Sequence, residues 1–266
     1  MSTILPGLCS VILRAESVDS VARLAGECGV RAIEWGADVH VPPGDSGAAS
    51  LARAATAAAD CRVASYGTYL FAAGVPAPND TCAVLDTAVA LGAPNVRVWA
   101  TFGVEPGSSA YPELVDGLRA CCVEGGARDL TVGLEFHGST ATATVDGVLA
   151  LLAAVDRPEL FTYWQPPYWR GPTTPESDAR EVVALGDHLS HLHGYEWASA
   201  EKRLPLAAGA DRWRAVLAAA ANPLTGNGDG AWPGDRVAFL EFVAGDDPAA
   251  LRRDAAVLHD WLDELS

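Results

Sequence analysis

Eight times along this chain a short apolar, strand-like run gives way to an Ala/Leu-rich amphipathic stretch. That alternation restricts the fold more than any single motif does. The strand-like runs are "LCSVIL" (8–13), "RAIEW" (31–35), "RVASY" (62–66), "NVRVWA" (95–100), "LTVGLEF" (130–136), "LFTYW" (160–164), "LSHLH" (189–193) and "RVAFLEF" (236–242). Several are nearly continuous in Val, Ile, Leu and aromatics, as strands buried on both faces are. Helical patterns fall at 17–29, 47–60, 79–92, 111–125, 144–155, 175–186, 211–221 and 247–264. In the first, Val18, Val21, Leu24, Ala25 and Cys28 share one stripe, and Gly29 stops it. The third opens on Asn79 or Asp80 as cap and closes at Gly92. Eight strand–helix units of about thirty residues predict an α/β fold, a parallel eight-stranded (β/α)8 TIM barrel, as one domain over residues 1–266. An open doubly wound sheet competes, but no Gly-rich dinucleotide fingerprint follows the first strand. No linker divides the chain, and "NPLTGNGDGAWPGD" (222–235) reads as a loop before the last strand.

Acidic residues outnumber basic ones 34 to 18, a net charge of −16. Such a surface repels nucleic acid and anionic membrane, so a small-molecule substrate is expected and neither polymer nor bilayer. The six cysteines form no C-x-x-C pair and read as reduced core residues of a cytoplasmic protein. The first residues lack a basic signal-peptide n-region, and no stretch reaches eighteen apolar residues.

In a TIM barrel the chemistry sits at the C-terminal strand ends. Those ends carry Glu34, Arg97, Glu135 and His137, Gln165 and Tyr168, His191 and His193, and Glu241. Three carboxylates beside an imidazole are costly to bury unless a cation joins them, which points to a divalent metal. Glu34 with Arg97 reads equally as a structural ion pair or as substrate-binding. His191, the inner of the pair, reads as an orienting or core histidine, and His193, further out, as a ligand candidate. His40 is either a loop hydrogen-bonder or a base oriented by Asp38 and Asp45. Trp99, Trp164 and Trp169 are placed to wall a pocket, while His188 and His259 read as surface residues.

The pieces "AIEWGADVHVPPGD" (32–45), "SYGTYL" (65–70), "VRVWA" (96–100), "GLEFHGST" (133–140), "HLHGYEW" (191–197), "RLPLAAGADRW" (203–213) and "FLEF" (239–242) resemble the xylose isomerase-like TIM barrels, a group of sugar phosphate isomerases and epimerases. The likeness spans nearly the whole chain. It implies a metal set of Glu135, Gln165, His193 and Glu241, with Gln165 standing where the group has Asp. The ion (Mn, Mg, Co or Zn) would then face two carboxylates instead of three. Arg203 matches an arginine that holds substrate oxygens, and Tyr66 falls in a matching segment and joins the substrate-binding candidates. Two departures bear on mechanism: the epimerases' second acid–base Glu is Ala141 here, and a sugar-contacting His is Tyr168.

The expected function is therefore a divalent-metal-dependent isomerase, epimerase or dehydratase of a sugar, polyol or related small molecule. The acid–base candidates are His137, His40, Tyr168, Glu34, Glu135 and Glu241, with Arg203, Glu34, Arg97, Tyr66, Trp99, Trp169 and His191 binding substrate. The alternatives are a metal-free lyase, cyclase or isomerase, and a non-catalytic sugar-binding barrel. The group's habits also make a homodimer an expected assembly.

Overall fold

The computed structural model describes residues 4–72, 80–199, 202–221 and 231–265. Its strands are β1 (Ile4–Cys9), β2 (Ala32–Gly36), β3 (Arg62–Gly67), β4 (Asn95–Val98), β5 (Thr131–Leu134), β6 (Leu160–Trp164), β7 (Leu189–Gly194), β8 (Glu196–Ser199), β9 (Lys202–Leu204) and β10 (Arg236–Leu240). Its helices are α1 (Val18–Glu27), α2 (Ser46–Ala58), α3 (Thr81–Leu91), α4 (Tyr111–Gly126), α5 (Val145–Val155), α6 (Pro175–Leu185), α7 (Ala210–Ala221) and α8 (Pro248–Asp263). Strands β1 to β7 and β10 pair in parallel and close into a barrel, with β10 returning beside β1. The molecule is thus a (β/α)8 TIM barrel. Local chemistry sets the helix starts. Ser17, Asp45, Asp80 and Thr144 each accept a backbone N–H of the first turn, and Thr174 and Ser177 form a reciprocal capping box. Asn79 and most of the 222–235 segment lie outside the described residues.

The first strand begins earlier than the apolar run suggests. Pro6 and Gly7 look like breakers, yet both sit in β1, where Pro6 needs only its carbonyl, which accepts the Arg31 N–H. Gly7 is required, because a Cβ there would lie 2.4 Å from Val237 and 2.7 Å from Phe239 inside the barrel. "SVIL" becomes a short 3-10 turn over Ser10–Leu13. The second departure is an antiparallel hairpin, β8–β9, inserted after β7, in which Trp197 pairs with Arg203.

The barrel interior is divided. Its lower part is an apolar plug of Ala32, Ala64, Val237 and Phe239 with the Tyr163 ring and Cys9. Above it lies a polar layer, described below. Outside, the helices cover the barrel with the main apolar core. The six cysteines are free thiols. Among the described residues no helix is long and apolar enough to cross a membrane.

Candidate active site

Strand alternation carries the polar layer inward, and a register slip in β3 decides who joins it. Ile33 pairs with Val63 but Glu34 pairs with Ser65, so β3 bulges at Ala64. Beyond the bulge Ser65 bonds the barrel-lining Tyr163 and Gly67 faces Glu34 and Arg97. Tyr66 points outward, where its hydroxyl donates to the Val41 carbonyl at 2.6 Å. The expected substrate contact by Tyr66 is therefore corrected: it is a core residue between β3 and the loop before α2.

The inward side chains form one connected network. Thr131 donates to Asn95 Oδ1 (2.9 Å), and Asn95 Nδ2 donates to the Tyr163 hydroxyl (3.0 Å). Tyr163 lies 3.0 Å from Glu34 Oε2 and 2.8 Å from Ser65. Arg97 Nε donates to Glu34 Oε1 at 2.9 Å, and its Nη1 pairs with Glu135. Gly67 and Gly133 leave the room for this, since a Cβ at 67 would lie 2.6 Å from Glu34 and 2.7 Å from Arg97, and one at 133 lies 2.7 Å from Tyr163. Cys9, Ser65, Asn95 and Tyr163 went unread in the sequence. The available signal was a polar or thiol residue at an inward position in otherwise apolar strands.

His193, at the end of β7 and 0 % exposed, has its Nδ1 3.1 Å from Gln165 Oε1 and 3.3 Å from Glu241 Oε2. Two acceptors facing one nitrogen demand a positive occupant between them, a proton or a metal ion. The charges say the same. Glu34, Glu135 and Glu241 face one guanidinium, which leaves two negative charges. Burial pulls the His193 imidazole down, but Glu241 and Glu34 outweigh it and raise its affinity for a proton. Burial also pushes Glu241 up, and Glu135 adds to the effect, while His193 offsets it only in part. Burial favours the neutral form of Glu34 too, yet Arg97 and His193 hold its carboxyl well below the usual carboxylate range. A divalent ion would cancel the two charges outright, and buried Glu241 Oε2 has no hydrogen-bond partner. The residues therefore fit a divalent cation held by Glu241, Gln165 and His193, with one departure from the expected quartet: Arg97 already grips Glu135.

Above this layer opens a cavity of about 180 Å³ lined by Arg97, Glu135, Gln165, Glu241, His137, Tyr168, Trp99, Arg203 and neighbours. His137 sits among Trp99 (ring centroids 4.4 Å apart, tilted), Trp169 (5.7 Å, stacked) and Phe102 (edge-on). Its Nδ1 lies 2.9 Å from the Gly138 carbonyl and so carries a proton. That leaves Nε2 as an acceptor, 3.4 Å from the Tyr168 hydroxyl. Trp169 backs His137 and donates to the Ala143 carbonyl rather than lining the cavity. Trp164 faces away, bonded to Glu181 and packed on Trp213. Arg203 reaches the rim from β9, paired with Asp246 and 5.0 Å over the Phe242 ring. Phe242 holds φ +53°, a strained turn for a bulky residue that folds the ring under Arg203. A larger cavity of about 380 Å³ lies beyond Tyr168 and Trp197, but its Arg212 is spent on Glu196 and Asp178.

Two further expectations are corrected. His40 is not brought to the mouth. Its Nε2 bonds the Glu16 carbonyl (3.2 Å), its Nδ1 bonds Ser10 (3.0 Å), and burial lowers its basicity. Asp38 pairs instead with Arg14, and Asp45 caps α2. His191 sits below the polar layer, with Nδ1 accepting the Val237 N–H at 3.1 Å among Tyr163, Phe239 and Trp232. Burial pulls its pKa down to about 3, so it is neutral, and it does not line the cavity at the mouth.

The backbone as a whole superposes on known barrels. The probable 3-DHS dehydratase AsbF, involved in petrobactin synthesis in Bacillus anthracis, matches with a TM-score of 0.71 at 19% identity, covering 96% of this chain and 99% of that one. A xylose isomerase-like TIM barrel protein from Mycobacterium smegmatis, solved in complex with magnesium, gives 0.71 at 14% identity over 100% of both chains. What these matches share with the chain is the barrel fold. D-psicose 3-epimerase from Clostridium cellulolyticum H10, with D-tagatose, gives 0.71 at 13% identity over 99% of this chain and 100% of that one. No protein-family model matches the chain, and no curated protein matches its sequence. At these identities the xylose isomerase-like likeness is one of fold.

Proposed function

We propose that this chain is an enzyme that moves a proton beside a carbonyl or hydroxyl carbon of a small oxygenated substrate, a sugar, polyol or related compound, as an isomerase or a dehydratase. The observation that carries the reading is the His137 ring. It is packed among aromatic rings, its Nδ1 proton is committed to Gly138, and its Nε2 lone pair is presented at the cavity wall beside Tyr168. That is the state a general base needs. His137 takes the proton through Nε2 and returns it, and the Tyr168 hydroxyl steadies the substrate oxygen or the imidazole. Arg203 holds substrate oxygens at the rim. Arg97 fixes Glu135 and Glu34, and the aromatic walls exclude water.

Glu241, His193 through Nδ1, the Gln165 amide oxygen and, when Arg97 releases it, Glu135 would hold a divalent ion. When bound, that ion supplies Lewis-acid polarisation of the substrate oxygen. The grip of Arg97 on Glu135 supports a second reading, in which Arg97 and a protonated His193 carry the positive charge themselves.

Inverting a carbon centre calls for a second acid–base group on the opposite face. The place where the epimerases have one is Ala141, 2% exposed. Proton transfer between neighbouring carbons, or loss of water, needs one shuttle only, and a dehydratase and epimerases are both among the barrels of this fold. The test is deuterium incorporation from D2O into a panel of ketoses, aldoses and hydroxyketones, read by NMR. His137→Gln should slow exchange by about 10²–10⁴-fold. Exchange unchanged in His137→Gln would overturn the assignment. A parallel assay in chelator separates the two readings.

A further inference from the structure

We propose that Cys9, Glu34 and the Nε2 nitrogen of His193 form a second cation site beneath the mouth, one that takes a soft divalent ion such as Zn²⁺ or Cd²⁺. Cys9 Sγ lies 3.8 Å from Glu34 Oε1, and His193 Nε2 lies 3.6 Å from the same oxygen. The three ligand atoms all fall within 4.8 Å of one another, and all three residues are buried. Tetrahedral zinc with one sulfur and two lighter donors spaces its ligands by roughly 3.3–3.6 Å, so the trio is slightly expanded around an ion-sized point.

A second observation, independent of the cysteine, is the imidazole. His193 Nε2 is buried and has no hydrogen-bond partner. Its tautomer follows from its neighbours. Nδ1 faces the Gln165 and Glu241 oxygens at 3.1 and 3.3 Å and carries the proton between them. With that proton in place Nε2 offers a lone pair downward, towards Cys9 and Glu34. A histidine that donates one N–H to an oxygen acceptor while its other nitrogen binds metal is the common arrangement around protein-bound metals. Here the Gln165 amide oxygen accepts that N–H at 3.1 Å, and the Glu241 carboxylate lies 3.3 Å from the same nitrogen as its charged neighbour.

The ion's preference follows from the donors. The mouth offers oxygens and Nδ1, which suit a hard ion, and that ion displaces the Nδ1 proton. The lower site offers a thiol, a carboxylate oxygen and Nε2, which suit a softer one. On binding, the Cys9 S–H bond is replaced by a sulfur–metal bond and the proton leaves to solvent, with no change of oxidation state. Because binding releases the thiol proton, it should weaken as pH falls. Because both sites draw on one imidazole, the hard and soft ions exclude each other. The proposal shares His193 with the reaction suggested above but does not depend on it.

The probe is Co²⁺ titrated into the full chain carrying Cys82→Ser, which removes the exposed thiol. A near-ultraviolet thiolate-to-cobalt charge-transfer band should appear and should be lost when Cys9→Ser is added. Co²⁺ binding without that band places the ion at the oxygen-lined mouth and overturns the proposal. A band that survives Cys9→Ser, or no binding at all, overturns it too. Anomalous scattering from Cd²⁺ in crystals of the unmutated protein needs no variant to fold. A peak between Cys9 and His193 supports the site, and peaks only elsewhere refute it.

Discussion

Replacing Arg97 by Met leaves Glu34 and Glu135 buried without their cation. Breaking such a pair from one side costs about 3–5 kcal/mol, far more than the intact pair is worth over an apolar substitute. Denaturant unfolding should show a loss of that size, and Arg97→Lys should recover only part of it, because an ammonium cannot fork to two carboxylates. A loss below about 1 kcal/mol would mean that the network is not held by this residue. At Gln165 the expected change has the opposite sign. Gln165→Asp restores a third charge beside the His193 Nδ1 position and should tighten Mn²⁺ binding in calorimetric titration of demetallated protein, even if the shorter side chain reaches through a water. Binding by neither protein removes the ion from the mouth and leaves the ion-free reading. Residues whose position follows from strand ends were legible in the sequence: Glu135, Gln165, His193 and Glu241 are all drawn to one end of the barrel. What could not be read was pairing. That Arg97 would take Glu135 as well as Glu34, and that His40 would spend both nitrogens on Ser10 and Glu16, are matters of distance across the barrel.

At the scale of the elements, β3 and the β8–β9 hairpin are where periodicity misled. A one-residue bulge sends Tyr66 outward and brings Gly67 in against Glu34 and Arg97. Gly67→Ala should therefore destabilise by about 1–3 kcal/mol and loosen the ion pair, although the added methyl is small. Thermal melting measures the first effect, and the second shows as a moved Arg97 in a structure of the variant. The hairpin was unreadable because its strands are short and polar, with no apolar alternation to announce them. It nonetheless delivers Arg203 to the rim opposite Trp197. Arg203→Ala should raise KM for a turned-over substrate more than it lowers kcat, since Asp246 holds the guanidinium outside the reacting layer. An unchanged KM would make Arg203 a structural clasp between the hairpin and the loop after β10.

For the whole molecule, the eight-unit alternation made the barrel legible from the chain alone, because each unit must bury both faces of a strand and one face of a helix. The plug beneath the site has a consequence for acid stability. His191 is pulled down to about 3 by burial, whereas in the unfolded chain it titrates near 6.5. The unfolded state thus binds the extra proton first, and stability falls as pH drops below about 6.5, by up to about 1.4 kcal/mol per pH unit from this group. In denaturant unfolding between pH 6.5 and 5, His191→Gln should flatten that limb while keeping an acceptor for the Val237 N–H, and an unchanged slope would assign the loss to other groups. The closure of β10 onto β1 has a consequence in time. A ribosome delivers Cys9 and Glu34 well before Glu241, and β1 cannot pair with β10 until both have emerged. Glu34, Arg97 and Glu135 thus precede the carboxylate that follows β10, and the polar layer is completed only when the circle shuts.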